Sequence, residues 1–256
     1  MNIRDNLTDE VIELVDKYKK VAILMPTYKV MSTKCVTDFC IFCSRLYQFG
    51  FQPSFFFLDQ TNVVIARNSL VKHYLEAAEK TDEPYSAVLW IDSDQTYTFK
   101  HFLDLLANFD RKDMDILSGR YITRDMFKPK VCGFIEVRGD YNNPLFKNTS
   151  VDDTGIVEVD GIGFGFVMMK PIVLEDMYDI YGLHQFEFRS VGTKESGGNI
   201  GEDLDWCLKA QLLGYKIYMD NDVEVGHHGG IIDSSYIYAK RHISNETRSY
   251  KSNKSN

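Results

Sequence analysis

Three groups of residues in this chain have the types and spacing for chemistry. The first is Asp92-Ser93-Asp94, directly after the apolar run Ala87-Val88-Leu89-Trp90-Ile91. Two carboxylates this close repel each other and are costly beside an apolar core unless a cation compensates them. A divalent metal would do so, with a diphosphate completing its shell. A turn or helix-capping cluster is the plain alternative. The second group is Glu202-Asp203, at the head of an amphipathic segment. Carboxylates suit a helix start, where free N–H groups favour negative charge. The same pair could supply a general base toward a hydroxyl. Successive helical residues project about 100° apart, so the two should not share one task. The third group is His227-His228, which follows the alternating Asp222-Val223-Glu224-Val225. Adjacent strand residues point to opposite faces, so only one of the two histidines is expected to reach a given site.

Smaller signals surround these. Asp160, Gly161, Gly163 and Gly165 could let the backbone approach a ligand closely, or could form a turn that starts a strand. Trp206 could offer a platform to a sugar ring or belong to the core. Gly197-Gly198-Asn199 has the composition of a loop that orders over a ligand and excludes water. Cys40 and Cys43 form a CxxC without a partner pair, which argues for reduced, buried or half-buried thiols rather than zinc.

Such residues need a frame to position them. Leu7, Val11, Leu14, Val15 and Tyr18 share a helical face after a possible Thr8 cap, and Val21 to Met25 reads as a buried strand stopped by Pro26. A helix with Val36, Phe39, Cys40, Cys43, Leu46 and Tyr47 inward closes at Gly50. Ser54 to Leu58 is a second strand, and a helix marked by Val63, Leu70, Val71, Tyr74, Leu75 and Ala78 follows. Ala87 to Ile91 is a third strand, Thr98 can cap a helix through Leu106, and Asp115 to Ser118 is a fourth strand. Continuously apolar strands alternating with amphipathic helices indicate a parallel sheet covered on both faces, an α/β doubly wound architecture. From Gly119 the texture changes to strands at Val131 to Val137, Ile156 to Val159 and Phe164 to Met169. One further helix at Glu202 to Leu213 and a strand at Lys216 to Met219 close the pattern. Ligands of doubly wound sheets sit at the carboxyl ends of the strands, where the Asp92-Ser93-Asp94 triplet falls.

Composition sets the bounds. Hydrophobic residues make up 44% and charged residues 26% of 256, ordinary for a globular chain with one substantial core. The net charge of −8, without a broad basic stretch, argues against nucleic acid as a partner. Met1 to Lys20 is charged and amphipathic rather than a signal peptide, and no apolar run is long enough to span a bilayer. A soluble, cytoplasmic protein is the expectation.

The ordered motifs Met25-Pro26-Thr27-Tyr28, Ala66-Arg67-Asn68, Asp92-Ser93-Asp94, Asp160-Gly161-Ile162-Gly163-Phe164-Gly165, Gly201-Glu202-Asp203-Leu204-Asp205 and Gly226-His227-His228-Gly229 resemble those of GT-A type nucleotide-sugar glycosyltransferases, especially the family-2-like group. The resemblance runs from about Val21 to about Gly230. It implies one GT-A domain over 1–239, with a donor half of about 1–118 and an acceptor half of about 119–239 that carries a smaller mixed sheet. A polar, flexible tail would follow over 240–256. It further implies that Pro26, Thr27 and Tyr28 line the nucleobase and ribose pocket, that Arg67 reaches the donor, and that Ser93 lies against it. Asp92 would contact ribose or a metal-bound water and is the third candidate for the metal shell, while Asp94 would ligate the metal directly. His227, rather than His228, would complete the shell. One imidazole among oxygens suits Mn2+ somewhat better than Mg2+. Asp203 would be the base of an inverting transfer to a carbohydrate or glycoconjugate hydroxyl, and Glu202 would position that acceptor. Asp160, Gly161, Gly163 and Trp206 fall on the acceptor side. A nucleotidyltransferase making a nucleoside diphosphate sugar is the competing enzyme, but Met25-Pro26-Thr27-Tyr28-Lys29 lacks the glycine-rich phosphate loop it needs. A noncatalytic sugar- or nucleotide-binding module would need neither the acidic pair nor the histidine. Nucleotide, sugar, acceptor and oligomeric state are matters of pocket and surface shape, which motifs leave open.

Overall fold

Alternation along the strands divides the core in two. In the computed structural model, which describes residues 8–28, 31–60, 62–125, 128–191 and 198–228, β1 (Val21–Thr27) sends Ala22 and Leu24 to one face and Val21, Ile23 and Met25 to the other. Likewise β3 (Ala87–Ile91) sends Val88 and Trp90 one way and Ala87, Leu89 and Ile91 the other. Such strands are apolar on both faces because helices cover both. On the second face lie α1 (Asp9–Lys17), α2 (Thr33–Phe49) and α4 (Phe99–Arg111), through Leu14, Val15, Phe42, Leu46, Phe102 and Leu106. On the first lie α3 (Val63–Ala78), α5 (Pro171–Tyr181) and α6 (Glu202–Leu212), through Leu70, Val71, Leu174, Met177, Trp206 and Ala210.

The main sheet among the described residues has seven strands. Its order is β2 (Ser54–Asp59), β1, β3, β10 (Phe166–Met169), β5 (Ile116–Arg120), β13 (Ile217–Glu224) and β8 (Ile156–Val159). β1 pairs in parallel with β2 and β3, and β5 with β13, while β10 and β8 run against their neighbours. This is the expected α/β class with a mostly parallel doubly wound sheet. A smaller sheet of β7 (Phe146–Asn148), β6 (Gly133–Glu136) and β9 (Gly161–Ile162) is antiparallel in both pairings. Two short ribbons complete the set. One pairs β11 (Arg189–Val191) with β12 (Gly198–Ile200), and the other pairs β4 (Gln95–Thr96) with β14 (Gly226–His227). β10 from the second half of the chain lies between β3 and β5 from the first, so the two halves share one sheet.

Local chemistry fixes the helix ends. Ser32 caps α2 by accepting from the Cys35 amide, and Gly50 ends it in the left-handed region at φ 102°. Asn62 caps α3 by accepting from Val64 and Ile65, and Thr98 with His101 forms a reciprocal box on α4. Thr8 precedes α1 but makes no side-chain cap bond.

Several expectations change. β1 continues through Pro26, which pairs with Leu58 of β2; pairing with β3 ends at Leu24, so the missing N–H falls beyond the two-sided ladder. The inward face of α2 is Cys35, Phe42 and Leu46, with Val36, Cys40 and Tyr47 exposed, a shift of one residue around the wheel. α5 was not expected: Ile172 and Ile180 lie exposed while Val173, Leu174 and Met177 are buried, so apolar residues circle the helix and blur its stripe. Among the described residues no helix is long and apolar enough to cross a membrane. The expected tail over 240–256 lies outside them.

Candidate active site

Asp92, Ser93 and Asp94 form the turn between β3 and β4 at the carboxyl end of the central strands. The Asp92 amide donates to the Gly165 carbonyl at 3.0 Å, and the Gln95 amide to the Asp92 carbonyl at 3.1 Å. Pairing of Gly226 with Thr96 and of His227 with Gln95 then lays β14 beside the triplet. The His228 amide donates to the Asp94 carbonyl at 2.7 Å, while the His227 ring turns toward the Asp94 carboxylate, Nε2 to Oδ1 being 3.5 Å. His227 Nδ1 lies 2.9 Å from the Ile122 carbonyl oxygen, which can only accept, so that nitrogen carries a proton. Nε2 and Oδ1 thus bring two lone-pair atoms together, an arrangement that attracts a cation between them, either a proton or a metal ion. A backbone carbonyl that fixes the far nitrogen is also how ligating imidazoles are oriented.

Asp92 faces elsewhere. The guanidinium of Arg67, on α3, donates from Nη2 to both Asp92 oxygens at 3.2 and 3.4 Å and from Nη1 to Glu202 Oε1 at 2.9 Å. Its Cζ lies 5.2 Å from the Phe164 ring centre and 5.7 Å from that of Phe186. At 3% exposure Arg67 is an internal tie between α3, the end of β3 and the start of α6, paired with Asp92 and Glu202 rather than open to solvent. Asn68 beside it donates to and accepts from the Phe186 backbone, fixing the segment that closes this side.

Asp203 lies half-buried one residue beyond Glu202. A Cβ on Gly163 would stand 3.4 Å from Asp203 Oδ2, an ordinary contact that puts Gly163 at the site. Gly161 instead meets Leu204 of α6, where a Cβ would lie 2.4 Å from Cδ2. Asp160 points away as well, its oxygens accepting from the Glu136 amide at 2.8 Å and Gln211 Nε2 at 3.2 Å. Trp206 is fully buried, stacked on Phe186 with Nε1 donating to Gln185, and is core rather than a sugar platform. Of the acceptor-side candidates, Gly163 is the one brought beside Asp203. Gly197 falls outside the described residues.

The electrostatics separate the carboxylates into two kinds. Burial pushes the Asp92 carboxyl above its ordinary range, with Arg67 opposing and Asp94 adding to the rise. Burial raises Glu202 and Asp203 too, Asp203 adding to the rise at Glu202, Asp92 to that at Asp203, and Arg67 opposing both. For Asp94 burial also pushes upward, but the facing His227 and then Arg124 outweigh it and hold the carboxyl below the usual range.

Arg124 is the residue that sequence reasoning missed. Its Nη1 lies 2.8 Å from Asp94 Oδ2, and with Pro26, Thr27, Tyr28, Gln60, Val63, Ala66, Asp92, Ser93 and Asp94 it lines an open cleft of about 190 Å3. Its position shortly after the fourth strand, at the ligand-binding edge of the sheet, was the available signal.

A divalent cation fits the chemistry of Asp94 and His227. Of the three expected ligands Asp92 is drawn off to Arg67, and among the described residues no group of three His, Cys, Asp or Glu is placed to hold a metal ion. Water or phosphate oxygens would have to complete the shell.

No protein-family model matches the chain, and no curated protein matches it. Among solved structures the chain is similar to A197 from STIV, with a TM-score of 0.51 and 16% identity over 84% of this chain and 86% of that one. It also aligns with GalNAc-T7, solved with UDP, GalNAc and Mn2+, at a TM-score of 0.46 and 8% identity over 81% of this chain and 43% of that one. A third alignment is with CMP:2-keto-3-deoxy-manno-octonic acid synthetase complexed with CTP, at 0.40 and 11% identity over 90% and 99% of the two chains. The first is a likeness of fold, and the other two are too distant to add to it.

Proposed function

We propose that the chain transfers a sugar from a nucleoside diphosphate sugar to a hydroxyl acceptor, with inversion and with a divalent ion held by Asp94 and His227. The observation that supports this most is the gathering of two unlike carboxylates at one end of the sheet. The Asp94 carboxyl is held below the usual range by His227 and Arg124 against the effect of burial, and the Asp203 carboxyl is raised by burial. A group that must stay charged and a group that must take up a proton have opposite needs, and the environments differ in that sense.

In this mechanism Pro26, Thr27, Tyr28 and Ser93 line the nucleotide cleft. Asp92, fixed by Arg67, orients a ribose hydroxyl or a water. Glu202, fixed by the same guanidinium, positions the acceptor. Asp203 takes the acceptor proton as that oxygen attacks the anomeric carbon, and the bond to the diphosphate breaks on the opposite face of the sugar. When bound, the divalent ion supplies Lewis-acid stabilisation of the departing diphosphate. The imidazole favours Mn2+ over Mg2+.

The test is release of nucleoside diphosphate from a panel of nucleotide sugars, with Mn2+ or EDTA and an acceptor mixture. Asp203→Asn should lower turnover by about a hundredfold or more. Asp94→Ala should remove the metal-dependent part while the protein stays folded. Full activity in Asp94→Ala would sink the metal assignment. Pyrophosphate release from a nucleoside triphosphate would favour the nucleotidyltransferase instead.

A further inference from the structure

The cleft beside the triplet carries a charge problem. Its described lining includes the carboxylates Asp92 and Asp94 and a single basic side chain, Arg124. Arg67 cannot answer an incoming diphosphate, because it is buried beneath Asp92 and engaged with Asp92 and Glu202. Arg124 can. Its side chain is 58% exposed, against 30% for Asp94, and its described contact with Asp94 is one nitrogen on one oxygen. An exposed pair of this kind is weak and easily exchanged. A guanidinium also offers a fork that matches phosphate oxygens in pairs, a better partner for it than a single carboxylate oxygen. The two groups facing Asp94 are divided by oxygen, the His227 ring at Oδ1 and the Arg124 guanidinium at Oδ2. A metal ion held by Asp94 and a guanidinium on the same carboxylate therefore oppose each other.

We infer that Arg124 is an exchangeable cation. Before ligand binds it neutralises Asp94, and when a nucleotide enters it moves to the diphosphate and leaves the carboxylate to the metal. Metal and nucleotide then bind cooperatively, because the nucleotide removes the metal's competitor. This rests on the nucleotide-sugar reading above and adds to it a residue that favours diphosphate-bearing ligands over monophosphates.

The experiment uses the full chain, MnCl2 alone, and the nucleoside diphosphate that a donor screen selects. Mn2+ binding is read from loss of the free-ion resonance, and nucleotide binding by calorimetry in Mn2+ and in EDTA. In Arg124→Ala, Mn2+ alone should bind roughly threefold more tightly, as expected from loss of a weak surface pair. Nucleotide should bind about tenfold or more weakly in both buffers, as expected from loss of a charged hydrogen bond. Arg124→Lys should recover part of the nucleotide affinity, keeping the charge but not the fork. The opposite signs are the signature. Weakening of both ligands together, or nucleotide affinity unchanged, overturns the role given to Arg124. A wild-type chain that binds neither Mn2+ nor any nucleoside diphosphate overturns the reading of the site, and the inference with it.

Discussion

Arg67 is one buried guanidinium facing three carboxylates, and the charges do not balance. Asp92, Asp203 and Glu202 all act on it, raising its own pKa against the opposing effect of burial. All three carboxyls are in turn raised above their ordinary values. The sign of the consequence follows from proton binding. A carboxyl whose folded pKa is raised holds its proton more tightly folded than unfolded. Stability therefore falls as pH rises from the ordinary value, about 3.9 for Asp, through the raised one, and the cost is complete above it. Asp203→Asn removes one of the three charges and keeps the shape. It should stabilise the protein at neutral pH by about 1 kcal/mol, raising Tm by about 2–4 °C, while transfer is lost. The gain should fade as pH falls toward the ordinary carboxylate range, because the raised carboxyls take up protons in the folded protein before they do so unfolded. Melting curves of the two proteins across that range check this, and a wild-type Tm equal to or above that of the variant at neutral pH would contradict the repulsion.

Tyr121, just after β5, shows how elements rather than single residues hold the site. Its hydroxyl accepts from the Gly165 amide at 3.3 Å, and its ring meets His227 edge-on at 5.6 Å. The backbone between β9 and β10 passes so close that a Cβ on Gly163 would stand 1.8 Å from the Tyr121 hydroxyl and 2.9 Å from the ring carbon bearing it. Gly163→Ala should therefore cost about 1–3 kcal/mol through overpacking and lower turnover by displacing Tyr121 and its neighbour His227. Tyr121→Phe removes the nearest atom of the clash, so the double variant should be less destabilised than the two single costs combined. Denaturant titration of the four proteins gives that coupling, and simple additivity would remove the clash as the cause. The contact also explains what sequence can and cannot give. The glycines stood out, and the apolar runs of β1 and β3 declared a buried parallel sheet. Gly163 and Gly161 nevertheless have different reasons to be small, and the reasons, Tyr121 and Leu204, lie far along the chain. The facing of α2 and the presence of α5 were lost for a related cause: when exposed positions are also apolar, periodicity no longer marks the buried side.

Across the whole molecule the site is assembled by long-range pairing. Arg67 bridges residues 25 and 135 positions away, and β14 returns near the end of the described chain to lie beside β4. Motif order made Asp92, Asp94, Glu202, Asp203 and His227 legible as candidates, but which carboxylate faces which cation depends on this assembly. Asp92 turned to Arg67 and Asp94 to Arg124 and His227 could not be read from spacing. A ligand that joins such distant segments should stabilise the fold as a whole. A nucleoside diphosphate with Mn2+ at a hundred times its Kd contributes about 2.7 kcal/mol to stability, a rise in Tm of about 5–10 °C for a chain of this size. His227→Ala should erase the increment that Mn2+ adds and leave the smaller rise produced by nucleotide in EDTA, because Arg124 and the Pro26-Thr27-Tyr28 wall do not depend on the imidazole. Melting curves with nucleotide, Mn2+, both and neither separate the two contributions. An undiminished Mn2+ increment in His227→Ala would move the metal away from β14, and loss of both increments would mean that β14 shapes the nucleotide cleft as well.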